Sequence, residues 1–243
     1  MALPMNSAPV HSLTLPSTGK VLKYRPFLIK EEKTLLLAQQ SESINTMVDS
    51  LKQVIQSCLD VKSNQDEPID VDQFASFDLE YVFTQIRAKS VGEIVDLYLK
   101  CDTCEDEKAV SKVSVDLTKI QVEKNPNHTN KIDLYDDVGI VIKYPTVDVL
   151  KRMEQVDVSD LDAVFDIVVE CIDYIYTTEE VFHAKEQSKE ELVEFLNNLS
   201  SEQFSKIQNF FETMPRLRQK ISYECPVCGK KHDKTLEGLT SFF

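Results

Sequence analysis

The sequence predicts an α+β chain: a mainly helical body with a small antiparallel sheet, a zinc-ribbon element built from segments distant in sequence. Three observations point there. Apolar residues recur at the helical 3.6 period over residues 43–60 and 160–172. Period-two alternation with β-branched residues flanks two Cys-x-x-Cys pairs, Cys101/Cys104 and Cys225/Cys228. Glycine is scarce, 5 in 243 residues, which suits helices more than a turn-rich sandwich.

Residues 1–20, rich in Pro, Ser and Thr, read as an extended N-terminal arm, and 21–243 as a single α+β domain. Within that domain the zinc-ribbon element takes in about 92–117 and 216–237. Leu22 to Ile29 reads as a strand or an extended docking segment, because Pro26 biases Arg25 away from helix. A helix starts near Lys30, with Glu31 and Glu32 in the first turn where the helix dipole favours acids, and sends Leu35, Leu36 and Leu37 into the core. The next helix, about 43–60, carries Ile44, Met47, Val48, Leu51, Val54, Ile55, Cys58 and Leu59 on one stripe, so Cys58 is expected to be a buried thiol.

A polar loop is expected at 63–68, then a helix over about 76–88 with Phe77, Leu79, Tyr81, Val82, Phe83 and Ile86 as core or interface positions. Strand texture runs into Cys101 and out of Cys104, with Val110, Val113 and Val115 on the way out. NPNHTN (125–130) is a turn, and 131–144 reads as strands that Pro145 stops. Thr146 and Asp160 stand where helix N-caps belong. Ser188-Lys-Glu-Glu191 and Ser200-Ser-Glu-Gln203 have the form of capping boxes, opening helices at 189–198 and 201–213. After Pro215 a strand enters the second Cys pair, and the tail LEGLTSFF is apolar enough to pack back.

The four paired cysteines carry the chemistry. A tetrahedral zinc needs four soft ligands, and a Cys-x-x-Cys turn presents two thiolates to one ion while turn N–H groups point at the sulfurs. In CPVCG, Pro226 between the ligands and Gly229 just after favour the tight turn. Two such turns, Cys101/Cys104 and Cys225/Cys228, make one split structural site for Zn2+, one per chain. The 120 residues between the pairs make the metal a clip between distant parts of the fold. Redox pairs and an iron–sulfur cluster use the same thiolates, but no thioredoxin-like context surrounds either pair and clusters often take other spacings. His232 follows Cys228 closely enough to replace one cysteine; with four available it reads as a neighbour of the thiols. A metal holding four thiolates has no open position for water, so the site is structural rather than catalytic.

Nothing in the sequence reads as an enzyme. The four histidines, His11, His128, His183 and His232, stand apart from any nucleophile or ligand at motif spacing, and the common catalytic and nucleotide motifs are absent. The formal charge of −14 repels phosphate backbones, which disfavours nucleic acid as main partner. Against that, residues 216–234 hold six bases and two acids, a positive island that suits protein complementarity. No apolar run approaches the roughly 20 residues a membrane helix needs, and the N-terminus lacks a signal-peptide pattern, so an intracellular protein is expected.

KYRPFLIKEEK (23–33), the block FDLEYVFTQIRAKSVGE (77–93) leading into CDTC, and the terminal CPVCG with LEGLTSFF resemble the baseplate hub assembly proteins of T4-type contractile-tailed phages. The resemblance implies a protein that assembles or belongs to the baseplate hub, as an assembly factor, chaperone or hub subunit. It implies other phage hub and tail proteins as partners, no small-molecule substrate, and a place in the host cytoplasm during assembly or in the virion baseplate. Lys23, Tyr24, Arg25 and Phe27 are the candidate partner-binding residues, since Arg and aromatics are common interface anchors; the same stretch also reads as an ordinary strand packed on its own body. The other reading is a zinc-ribbon regulator contacting DNA or RNA polymerase through the basic island.

Overall fold

The computed structural model describes residues 8–40, 44–61, 69–104, 106–157 and 160–238. In chain order the elements are β1 (His11–Thr14), β2 (Val21–Tyr24), α1 (Ile29–Gln39), α2 (Ile44–Leu59), α3 (Ser76–Ser90), β3 (Ile94–Lys100), β4 (Val110–Asp116) and β5 (Gln121–Glu123). There follow β6 (Lys131–Tyr135), β7 (Val138–Ile142), α4 (Val147–Gln155), α5 (Leu161–Cys171), β8 (Ile172–Tyr176), β9 (Val181–His183), α6 (Lys189–Asn197), α7 (Ser201–Thr213), β10 (Arg216–Glu224) and β11 (Lys231–Glu237). Helices and small antiparallel sheets together make the α+β class that the sequence predicts.

Where the sequence reading has one domain over 21–243, the chain divides into two compact units, one of residues 1–123 with 216–243 and one of 124–215. The second is an insertion. The chain leaves the first unit at Glu123 and re-enters at Arg216, and these two residues are antiparallel partners in the β5–β10 ladder.

In the first unit, β1 and β2 form an antiparallel pair in the register His11↔Tyr24 to Thr14↔Val21. The described part of the N-terminal stretch is thus part of the fold. Leu13 and Leu15 alternate with polar neighbours and bury, leaving 7% and 5% exposed. The turn is tied down where Ser17 donates through its N–H, at 3.0 Å, and its hydroxyl to buried Asp78 at the start of α3. α2 lies against α1, α3 and β2. Its stripe is buried as expected, with Leu51, Val54, Ile55, Cys58 and Leu59 all nearly inaccessible. Burial pushes the Cys58 thiol up to about 12, so it acts as a small apolar side chain. On α1, only Leu35 of the three consecutive leucines is buried. Leu36 and Leu37 stay over half exposed, because one residue advances a helix by about 100° and three in a row cannot share a face.

α3 carries the densest burial, with Phe77, Leu79, Val82, Phe83 and Ile86 each at 1% or less, while Tyr81 is half-buried. Its far end packs Ala88 against Val115, Leu117, Ile120, Leu217, Ile221 and Leu236. β3 and β4 form a seven-pair hairpin, and β10 stands between β5 and β11 in a three-stranded sheet. The expected polar loop at 63–68 lies outside the described residues. So do residues 239–243 of the apolar tail, whose Leu236 is buried.

The second unit is a four-stranded antiparallel sheet in the order β6-β7-β8-β9. Ile132, Leu134, Ile140, Ile142 and Ile175 of the sheet pack with Val149 of α4, Phe165 and Val168 of α5, Leu192 and Leu196 of α6, and Ile207 and Phe210 of α7. Its helix starts match the sequence signals. Thr146 caps α4 and Asp160 caps α5. Ser188 with Glu191, and Ser200 with Gln203, form complete capping boxes. Strands β8 and β9 lie between the 160–172 stripe and the Ser188 box, where the sequence reading assigns no element.

Candidate metal centre

The two Cys-x-x-Cys turns close in the same way. At the first, the Cys101 N–H donates to the Ala109 carbonyl at 2.8 Å. At the second, the Cys225 N–H donates to Lys230 at 2.9 Å and the Gly229 N–H returns to Cys225 at 3.0 Å. Gly229 has φ +70°, a conformation that favours glycine, which explains its place directly after CPVC. The Val227 N–H points at the Cys225 sulfur, 3.4 Å away.

Side chains from both hairpins then hold the turns together. The Ser111 hydroxyl donates to the Glu224 carbonyl at 2.9 Å, and the Tyr223 hydroxyl donates to the Lys100 carbonyl at 3.3 Å. Cys101, Ala109 and Cys225 form a small buried cluster with Cys104 against it, and Cys228 faces outward.

The result is one group of four cysteine sulfurs, all within 4.8 Å of one another. Across the hairpins, Cys101 and Cys228 are 3.9 Å apart, and so are Cys104 and Cys225. A tetrahedral ion with metal–sulfur bonds near 2.3 Å needs sulfurs about 3.8 Å apart. A disulfide would need about 2.05 Å. The donor set therefore fits a four-coordinate metal ion, and its ligands come from segments more than a hundred residues apart.

The clustered thiols are shifted in opposite directions. Cys101 is drawn down to about 5, chiefly because the Thr103 hydroxyl and N–H favour its thiolate. Cys104 is pushed up to about 12, first by its contact with Cys228 and then by burial. Four thiolates this close repel one another unless a cation sits among them.

His232 is where the sequence reading puts it, a neighbour of the thiols. Its Nε2 lies 3.2 Å from the Cys101 sulfur, and its ring stacks on Tyr223 with centroids 5.1 Å apart. Thr103, Ser111 and Tyr223 are the supporting residues that the sequence reading missed. The signal for Thr103 is its place inside CDTC; Ser111 and Tyr223 lie on the strands entering and leaving the turns, and only the fold pairs them.

The candidate partner-binding residues stand apart from the metal centre, and the structure separates them. Tyr24 is 2% exposed. Arg25 is turned inward, donating to Glu31 at 2.9 Å and to the Pro26 carbonyl at 3.0 Å. Phe27 is half-buried, its N–H donating to the Ser90 hydroxyl at 2.9 Å, and Lys23 is exposed. The basic island is partly neutralised, since Arg216 and Arg218 both bond Glu237. His128 bonds Thr213 and Tyr144 within the second unit, and His11 packs on Tyr24. Among the described residues no helix is long and apolar enough to cross a membrane.

A family model described as "T4 bacteriophage base plate protein" matches residues 8–243. The chain is 24% identical over 227 residues to "Baseplate hub assembly protein gp26" of Enterobacteria phage T4, covering 93% of each chain. No solved structure matches it at a significant level.

Proposed function

Because this chain belongs to the T4 bacteriophage base plate protein family, we propose that it acts in assembly of a baseplate hub, by binding other hub and tail proteins and without turnover chemistry. The observation that carries this reading is the span of the likeness: family and relative cover almost the whole chain, both units included. The relative's name as an assembly protein supports the assembly-factor form of the reading over the hub-subunit form. In that form the protein works in the host cytoplasm and is absent or minor in the finished virion.

One Zn2+ held by Cys101, Cys104, Cys225 and Cys228 braces the first unit. The support is the tetrahedral fit of the sulfurs and a ligand set that leaves no position for a reacting water. Partner contact through the 23–27 segment falls to Lys23 and Phe27, while Tyr24 and Arg25 shape it from inside.

Co-purification from infected cells tests the partner class, with other tail proteins expected in the complex. Quantitative mass spectrometry of purified virions tests the stage. Near-stoichiometric copies in the virion would sink the assembly-factor form and leave the hub-subunit form standing.

A further inference from the structure

Two faces of this chain, one on each unit, are built for packing and carry nothing on them among the described residues. The first is the outer side of α1. Glu31, Leu35 and Ala38 are its buried side. On the opposite side stand Ile29, Leu36 and Leu37, exposed by 78%, 54% and 58%, with Lys30 and Lys33 exposed beside them. An aliphatic stripe on both sides of a helix is what a helix between two layers has.

The second is the outer face of the β6–β9 sheet. The packed face, with Ile132, Leu134, Ile140 and Ile175, takes all four helices of its unit. By strand alternation the other face shows Tyr135, Tyr174, Tyr176, Val181 and His183 around buried Val141, with Tyr135, Val181 and His183 exposed and the other two tyrosines half-buried; one base, Lys131, lies on this face with its Nζ 4.7 Å over the Tyr176 ring. At one end of this sheet the β6–β7 and β8–β9 turns meet, where Thr178 donates to Asp137 at 3.0 Å. The two turns bring Asp136, Asp137, Glu179 and Glu180 together, all exposed, with no base in either turn. The whole unit, residues 124–215, holds 8 bases against 19 acids, or −11 of the chain's −14.

We infer that the chain self-associates head to tail, with the outer side of α1 in one copy lying on the open sheet face of a second copy. A helix on an uncovered sheet face is one of the few stable layer arrangements. Charge selects this partner over α1 packing on its own copy. Lys33 stands midway between Ile29 and Leu37, so a symmetric antiparallel α1 pair would set Lys33 against Lys33. The acid-edged aromatic sheet gives it opposite charge instead. The contact joins two different faces, so each copy keeps one of each and the assembly extends or closes into a ring. This inference goes beyond the hub-assembly reading and does not depend on it.

Sedimentation velocity of the full chain tests it. At low salt the wild type should associate with rising concentration, and added salt should weaken the association. Leu36→Asp, Lys33→Glu and Val181→Lys all change exposed side chains, so their melting curves should match the wild type. Each should weaken association at least about tenfold. Mixing Leu36→Asp with Val181→Lys should restore a dimer and nothing larger, because the pair retains one intact face of each kind. The inference is overturned by a wild type that stays monomeric at low salt or associates independently of salt. It is equally overturned if the Leu36 or Val181 variant associates like the wild type, or if the mixture stays monomeric.

Discussion

Replacing Cys225 by Ser tests the metal centre most directly. Cys225 is 2% exposed and its sulfur lies 3.9 Å from that of Cys104, so a hydroxyl there removes one of four soft donors from a closed set. The β3–β4 and β10–β11 hairpins then keep two cross-hairpin hydrogen bonds near the site, Ser111 to Glu224 and Tyr223 to Lys100. If only those weaken, the loss is about 2 kcal/mol at about 1 kcal/mol each. If instead the full closure of the 120-residue loop between Cys104 and Cys225 sets the loss, it reaches about 5 kcal/mol. For a chain of this length that is a fall in Tm of about 4–20 °C. The measurement is calorimetry beside elemental analysis. The wild type should carry one zinc per chain and the variant none. A strong chelator should lower the wild-type transition and leave the variant unmoved, because the variant has nothing left to remove. Cys58→Ala serves as the control: it should destabilise the α2 packing and keep the metal. A wild type that is metal-free and equally stable, or a Cys225 variant that keeps its zinc, would refute the reasoning.

Gly139→Ala should destabilise the second unit by about 1–3 kcal/mol in urea unfolding, since its Cβ would stand 2.1 Å from the Tyr176 hydroxyl and 2.8 Å from the Ile132 carbonyl, which is backbone and cannot step aside. Glu31 and Glu80 should give opposite pH dependences. Glu31 is held below its ordinary value because the pull of Arg25, Leu28 N–H and Lys30 outweighs its burial. Its stabilisation is therefore full above about 4.3 and lost as pH falls through the lowered value, and Glu31→Gln should flatten acid melting curves in that range. Glu80 is pushed up to about 8, by burial first and then by Glu237, against the pull of Arg216. The fold then loses stability as pH rises from about 4.3 towards 8, so Glu80→Gln should raise Tm at pH 8 and do little at pH 4. Ser188→Ala and Ser200→Ala should each cost about 1 kcal/mol by chemical denaturation, because each box bonds two helix-end N–H groups.

Where a local rule decides the structure, the sequence was legible. Both capping boxes, the Thr146 and Asp160 caps and the 44–59 stripe depend on residues three or four apart, and each forms as expected. The grouping of the four cysteines was legible for the same reason, as paired thiols at a fixed spacing, and their sulfurs do come together. What failed was set by tertiary neighbours. Leu36 looks like Leu35 until helix geometry turns it outward. β11 buries only Leu236 of seven residues, and the three residues of β9 are all exposed, so neither has the alternation that marks a strand. Both are strands because a neighbouring strand supplies their backbone partners. The inserted unit was hidden because its defining feature, Glu123 beside Arg216, is a pairing across more than ninety residues with no local sign.

The position of the four-cysteine cluster follows from what β10 lacks. This nine-residue strand pairs with β11 from Arg218 to Glu224, but with β5 only from Arg216 to Arg218. Beyond Arg218 its other edge has no ladder partner among the described residues, although Leu217 and Ile221 must stay in the core with Ala88 of α3. β5 cannot extend, because the chain leaves for the inserted unit after Glu123. The β3–β4 hairpin approaches that end of β10 yet joins it through side chains, Ser111 and Tyr223, rather than through a ladder. From Arg218 to Glu224 the strand is laddered on its β11 side only, and a strand paired along one edge is held less firmly than one paired along both. Cys225 directly follows that stretch, and Cys101 directly follows β3. A metal ion shared by the two turns would fix β10 on the edge where its second ladder stops, and so would hold the ends of the β3–β4 and β10–β11 hairpins in one place.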